Sequence, residues 1–434
     1  MTFDIRDYGA ICSDVLQTEK IQAAIDACFK AGGGEVVIPA GIWRTGCIRI
    51  RSNVTLHLLS GAIIEGSNDP EDYCGYLNDT VEPLTVKESV DPRITRSCEW
   101  FSRWSNGLIK AVHADNIAVI GDKGSFINGM NVYDPQGEEN FRGPHPFSFW
   151  YCKNVRMSGY TIHNSSNWAH ALFYCSDIDV HDVRVYGGHD GFDARCCDRL
   201  TISDCEFYTG DDCIAGFDNY DVTVRDCIFN TACFALRFGA SKMLVENCRT
   251  IGPARYGARW SMDKEHHQKS VVADETAKHT SGWGFVYYCD FRAELRHDPG
   301  DITIRNCSFD NLLGLFCLPF EFEYRWCINR SLQSIRFENV TATNVRYPIF
   351  INGDANDPLT LEMENVKLTP AEGYETMPVL AAANYKAIRF RNVVCEGYTD
   401  PKIFIKTPGE VSVEGGTSLP VQHLGTIDVF YKEN

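Results

Sequence analysis

A six-residue pattern of alternating apolar and polar positions, closed by Asn, Asp or Gly, recurs down this chain. It reads NVRMSG from Asn154, DIDVHD from Asp177, RLTISD from Arg199, DVTVRD from Asp221 and KMLVEN from Lys242. It resumes as DITIRN from Asp301, SIRFEN from Ser334, TLEMEN from Thr360 and AIRFRN from Ala387. Alternation at period two predicts strands with one buried face. The first four steps are 23, 22, 22 and 21 residues. That is too short for a βαβ unit and about half a propeller blade, which leaves one coil of a solenoid. The expected fold is all-β: a single right-handed parallel β-helix of about 22 residues per coil, one domain over residues 1–434.

Two stretches depart from this rhythm. Thr18 to Lys30 carries Ile21, Ala24, Ile25, Cys28 and Phe29 at helical spacing, and Gly32-Gly33-Gly34 stops it. An amphipathic helix there would cover the open end of the first coil, so residues 1–50 are expected to form an N-terminal cap and the first coils. Over residues 250–300, from GPARYGARWSMDKEHHQKS onward, alternation gives way to polar, aromatic and charged residues. Loops of that length are usually functional or disordered, and this one is expected to be an irregular insertion over one end or flank of a groove.

Charge narrows the partners. The chain has 41 basic and 58 acidic residues, a formal charge of -17. Such a surface repels phosphate backbones and anionic lipid, so neither nucleic acid nor membrane is an expected partner. No run approaches a membrane span. The opening MTFDIRDYGA shows no secretory signal, and the 19 cysteines are odd in number and lack paired CxxC spacings. Reduced thiols in a cytoplasm are therefore expected. Cys205, Cys227, Cys248 and Cys307 each follow the closing Asp or Asn of a hexapeptide. They are expected to stack as small apolar residues in an interior column rather than to bind metal. Nothing in the pattern speaks to oligomeric state.

Several segments carry a resemblance: FDIRDYGA, IQAAIDAC, GGGEVVIPAG, GCIRIRSNVTLHL, GAIIEGS, NSSNWAHAL, HDGFDARCC and TGDDCIA. Together, over roughly residues 3 to 260, they resemble the polygalacturonase-like enzymes, glycoside hydrolase family 28 of the pectin lyase-like β-helix superfamily. That family sets one aspartate in an Asn-Thr-Asp-Gly motif and two more in a Gly-Asp-Asp motif one coil later. Asp190 and the pair Asp211-Asp212 match those positions. The resemblance implies inverting hydrolysis, with Asp211 as general acid and Asp190, together with Asp212, holding and deprotonating the water. It implies no metal and no cofactor.

The spacing also has a meaning of its own. One coil apart, Asp190 and Asp211 would fall on adjacent rungs of one groove. Carboxylates crowded in this way cannot all ionise freely, and a protonated acid beside ionised ones is what glycoside hydrolysis requires. Inversion calls for roughly 6.5–9.5 Å between acid and base, leaving room for water. The same acids taken singly would suit solenoid corners or calcium ligands.

Three departures from the family bear on substrate. The Asn-Thr pair is Gly188-His189, and the Gly-His-Gly that supplies an assisting histidine is Ala232-Cys233-Phe234. His189 or His170 could replace that histidine in space, and Cys233 occupies its position. The Arg-Ile-Lys that grips a substrate carboxylate resembles Arg259-Trp260-Ser261, without the lysine. Lys264 or Arg237 could supply the missing cation, or Arg237 could simply pair with an aspartate. Trp260, and less clearly Trp168, Phe234 and Phe238, could stack on sugar rings or fill the interior. The expected activity is inverting hydrolysis of a pectin-related or other oligosaccharide. The alternatives are a neutral sugar on the same machinery, a polysaccharide lyase, and a non-catalytic glycan-binding β-helix.

Overall fold

The recurring hexapeptides form strands in the computed structural model, which describes residues 1–80, 103, 105–257, 263–265, 267, 280–290, 294–322 and 327–431. The chain divides into two compact units, Met1–Asp211 with Tyr256–Asp274, and Asp212–Arg255 with Glu275–Asn434.

In the first unit the strands Lys153–Ser158, Ser176–His181 and Asp198–Ser203 pair in parallel, which stacks Val155, Ile178 and Leu200 as partners. All three are buried, as period-two alternation requires of an inward face. Shorter strands, Thr161–His163, Arg184–Gly187 and Glu206–Thr209, stack as a second parallel sheet. The strands His145–Trp150, His170–Phe173 and Phe192–Arg195 form a third. Three sheets wound by one chain, each strand pairing with its counterpart in the next coil, make a parallel β-helix. The corners explain why the hexapeptide closes on Asp or Asn. Asp177, Asp182, Arg199 and Asp204 turn with left-handed backbone, φ 54 to 57. Asp and Asn accept that region more readily than other side chains.

The second unit repeats the arrangement. Met243, Ile302, Ile335, Leu361, Ile388 and Val411 are successive partners in one inward column. The left-handed corner residues Asn306, Asn339, Asn365 and Asn392 join through their side-chain amides at 3.0 to 3.2 Å. Partner positions step 155, 178, 200 in the first unit but 302, 335, 361, 388 in the second. The period of about 22 therefore does not run through the chain, although the partners in this inward column stay aligned.

The expected helix spans Thr18–Lys30 and buries Ile21, Ala24, Ile25 and Cys28. Gln22 ties it to the first coils through both amide atoms, accepting from the Arg49 amide at 2.8 Å and donating to the Arg49 carbonyl at 3.1 Å. Phe29 is exposed instead of buried, with the Arg51 guanidinium 4.5 Å from its ring centre. The interval 250–300 is irregular only in part. Ser281–Tyr287 is a fully buried strand that pairs with Leu236–Phe238, so the expected insertion contains a coil segment of its own.

Cys205, Cys227, Cys248 and Cys307 are all buried. Each thiol contacts the carbonyl two residues before it, at 3.1 to 3.3 Å, across the left-handed corner residue. Contact with Cys227 pushes the Cys248 thiol upward, and contact with Cys248 followed by burial does the same to Cys307. No helix among the described residues is long and apolar enough to cross a membrane.

Candidate functional site

Asp190 and Asp211 lie on neighbouring coils of the first unit. The register pairs Gly187 with Thr209, which sets Gly188 and Gly210 on adjacent coils. A Cβ on Gly210 would stand 2.8 Å from the Gly188 carbonyl oxygen and 3.2 Å from its Cα, so only glycine lets the coils approach there. The chain then turns through His189-Asp190 on one coil and Asp211 on the next. The Asp190 carbonyl accepts the Ala169 amide at 2.9 Å, and the Thr209 hydroxyl donates to the Asp211 carbonyl at 2.7 Å. His189 is 0% exposed and Asp190 1%, whereas the Asp211 side chain is 21% exposed.

A hairpin two coils before Asp190 brings a cation to this point. The strand Tyr133–Glu138 turns back at Glu139 and Asn140, both left-handed, so that Arg142 bridges to Tyr133 and Glu138. Two left-handed residues in succession match the twist of a tight hairpin. Gly137 admits the returning strand, since a Cβ on it would lie 1.9 Å from the Arg142 carbonyl oxygen. Arg142 is 7% exposed. Its Nη1 donates to His189 Nδ1 at 3.0 Å, its Nη2 to Asp211 Oδ2 at 3.2 Å, and its Nε to Glu139 Oε2 at 3.0 Å. Burial works against its charge, but Glu139, Glu138, Asp211 and Asp190 outweigh it, and the guanidinium is held firmly protonated.

Glu138 stands behind this cluster, 8% exposed, accepting from Asn167 Nδ2 at 3.0 Å. Burial pushes its carboxyl up to about 7; Glu139 adds to the rise, while Arg142, Asn167 and Arg195 oppose it. His267 closes the other side, its ring 6.4 Å from that of His189 and edge-on to Tyr133 and Phe141. Its Nε2 hydrogen-bonds to the Asn131 carbonyl at 3.2 Å.

The remaining expected residues fall elsewhere. His170 is a core residue, contrary to its expected place at the substrate. Its Nδ1 donates to the Gly191 carbonyl at 2.9 Å, its Nε2 accepts from the Tyr160 hydroxyl at 3.0 Å, and Phe147 stacks on it at 5.2 Å. Burial first of all lowers its pKa to about 4, so it stays neutral. Trp168 is buried against Phe173 and Ala171, with the Arg195 guanidinium 4.4 Å from its ring centre. Lys264 is exposed. Arg259 and Trp260 lie outside the described residues.

Asp212 and Arg237 belong to the second unit, where they answer the question left open by the sequence. Asp212 is 0% exposed, takes the Arg237 Nε on Oδ2, and accepts the Phe234 amide on Oδ1 at 3.2 Å. The Arg237 guanidinium lies 4.4 Å from the Tyr288 ring centre. Arg237 is thus the partner of a buried aspartate. Cys233 is half-buried, its amide held by Thr231 Oγ1 at 2.8 Å. Phe238 faces the interior.

Sequence reasoning missed Arg142, Glu138, Asn167 and His267. The readable signal was the charged run Glu138-Glu139-Asn140-Phe141-Arg142 ahead of the apolar strand His145–Trp150, a composition suited to a hairpin over a site.

Residues 102–250 match the family described as "Right handed beta helix region". Over 254 residues, 49% of this chain and 41% of the relative, the chain is 42% identical to an exo-poly-alpha-D-galacturonosidase of Dickeya chrysanthemi. A shorter stretch of 63 residues, 12% of this chain and 6% of the relative, is 44% identical to mannuronan C5-epimerase AlgE5 of Azotobacter vinelandii. The family 28 exopolygalacturonase of Yersinia enterocolitica superposes with a TM-score of 0.62 at 18% identity, covering 96% of this chain and 79% of that one. At that identity the shared property is the fold. The chain spans less than half the length of the curated relatives it matches first. This chain is a right-handed parallel β-helix that resembles the polygalacturonases in sequence.

Proposed function

We propose that this chain is a glycoside hydrolase acting on a pectin-related, uronate-containing oligosaccharide with inversion of configuration. The observation that carries the reading is the placement of Asp190 and Asp211 on neighbouring coils of one unit. Similarity to a galacturonosidase supports the choice of sugar. In this reading Asp190 takes a proton from water as its oxygen attacks the anomeric carbon, and Asp211 gives a proton to the departing glycosidic oxygen. Asp212, in the second unit, is sealed from solvent and paired with Arg237.

The test is incubation with galacturonate oligomers and a panel of neutral ones, following new reducing ends and the anomer first released by proton NMR. Asp211→Asn should lower kcat at least about a hundredfold, the low end for general acid catalysis. A variant keeping more than half the wild-type kcat would remove Asp211 from the chemistry. A uronate epimerised without chain cleavage would overturn the hydrolytic reading, and the same spectra report it.

A further inference from the structure

We propose that Arg142 is a positioning residue whose fork spans two coils, fixing His189 as the neutral tautomer with its proton on Nε2 and holding Asp211 in place for the reaction. The inference rests on the hydrolytic reading for its catalytic consequence, but its structural half does not.

A guanidinium only donates hydrogen bonds. Since Arg142 Nη1 lies 3.0 Å from His189 Nδ1, that nitrogen must accept, and a neutral imidazole then carries its hydrogen on Nε2. Protonating Nδ1 would break this bond and set two cations against each other in a pocket where both residues are under 10% exposed. The second arm of the same fork reaches Asp211 Oδ2 at 3.2 Å. A planar fork fixes the angle between its two arms, so the imidazole of one coil and the carboxylate of the next are held in one relative orientation. Lysine offers a point charge and could not do this.

The hairpin is built to deliver that fork. Glu139, at φ 54, occupies backbone space that a glutamate rarely adopts. Its carboxylate takes the Arg142 Nε at 3.0 Å, aiming Nη1 and Nη2 at the two coils. Glu138, Asp190 and Asp211 supply the remaining negative charge around the guanidinium, and the His267 ring closes the far side of His189. Sequence similarity did not point to this arginine. Arg142 Nη1 is a group in hydrogen-bond contact with His189 and can set its tautomer.

The test uses the full chain, selectively 15N-labelled at histidine, as wild type, Arg142→Lys and Arg142→Met. In the wild type, His189 should show a pyrrole-like Nε2 and a pyridine-like Nδ1 from pH 5 to pH 8. In both variants it should titrate or mix tautomers within that range. kcat on galacturonate oligomers should fall at least about tenfold with KM changed less than about twofold, as expected when reacting groups are displaced and binding is not. Arg142→Lys keeps a cation in the pocket and serves if Arg142→Met does not fold. An unchanged His189 spectrum in a folded variant overturns the tautomer lock. A changed spectrum with undiminished kcat overturns the positioning role. If the wild type cleaves no glycan, the hydrolytic reading falls while the spectra still decide the lock.

Discussion

Replacing Glu138 with glutamine keeps the shape of the side chain and removes its titration, which isolates one electrostatic effect. In the folded chain the Glu138 carboxyl is pushed up to about 7 from an ordinary value of 4.5, chiefly by burial. The folded state therefore keeps a proton that the unfolded chain releases earlier. Stability contributed by that protonated group is present below about pH 4.5 and is lost as pH rises towards 7, where the folded carboxyl also ionises. Going from 4.5 to about 7 at about 1.4 kcal/mol per pH unit sets a ceiling between roughly 3 and 4 kcal/mol on the loss. Glutamine Oε1 can still accept from Asn167, so the variant should match the wild type near pH 4.5. It should gain on it by one to three kcal/mol, roughly, at pH 8. Urea unfolding of both proteins at the two pH values measures the difference. A gap between variant and wild type that does not change with pH would refute the reasoning, since loss of packing alone is pH-independent.

Two further outcomes follow from the described contacts. Cys205, Cys227, Cys248 and Cys307 should resist thiol reagents in the native protein and label only after denaturation, whereas exposed Cys12 should react at once. Peptide mapping checks this, and rapid native labelling of the four would contradict the register. Arg237→Met should leave Asp212 buried without its cation and cost about 3–5 kcal/mol in unfolding free energy, and activity should fall on charged and neutral substrates alike. A rise in KM confined to uronates, with stability intact, would restore Arg237 as a substrate ligand.

How much of this was legible depends on the range of the interactions. Period-two alternation around Val155, Ile178 and Leu200 is local, and so were the strands, the capping helix and the corner positions of Asp and Asn. The two catalytic candidates were legible because Asp190 and Asp211 are separated by one coil, so sequence spacing becomes spatial adjacency. Arg142 is 47 residues from His189 and 69 from Asp211, and no repeat links them. It reaches them through an insertion whose shape depends on left-handed turns at Glu139 and Asn140 that composition only hints at. The roles of His170 and Arg237 were ambiguous for the opposite reason. A histidine or arginine in an apolar strand looks the same whether its partner is a substrate or a buried carbonyl or aspartate. Only the Gly191 carbonyl and Asp212 distinguish the cases.

The ionisation of Glu138 also bears on which sugars this pocket accepts. Around Arg142 in the first unit stand Asp190, Asp211, Glu138 and Glu139, and Arg195 adds a second cation near Glu138. Below pH 7 Glu138 holds its proton and contributes no charge; above it, one more negative charge appears on a carboxylate that is only 8% exposed. A uronate carboxylate about 8 Å from that charge, at an effective dielectric near 20, would be repelled by about 2 kcal/mol. That is a factor of roughly 30 in binding. KM for a galacturonate oligomer should therefore rise through pH 7 while KM for any neutral oligosaccharide the chain accepts stays level. Glu138→Gln should flatten the uronate curve. Because each carboxylate of the substrate is fully ionised across this range, the substrate cannot supply the titration itself. Steady-state kinetics from pH 5.5 to 8.5 on both substrate types decides it. A uronate KM that rises equally in Glu138→Gln would assign the effect to another group, and a flat wild-type curve would mean that the substrate carboxylate sits out of reach of Glu138.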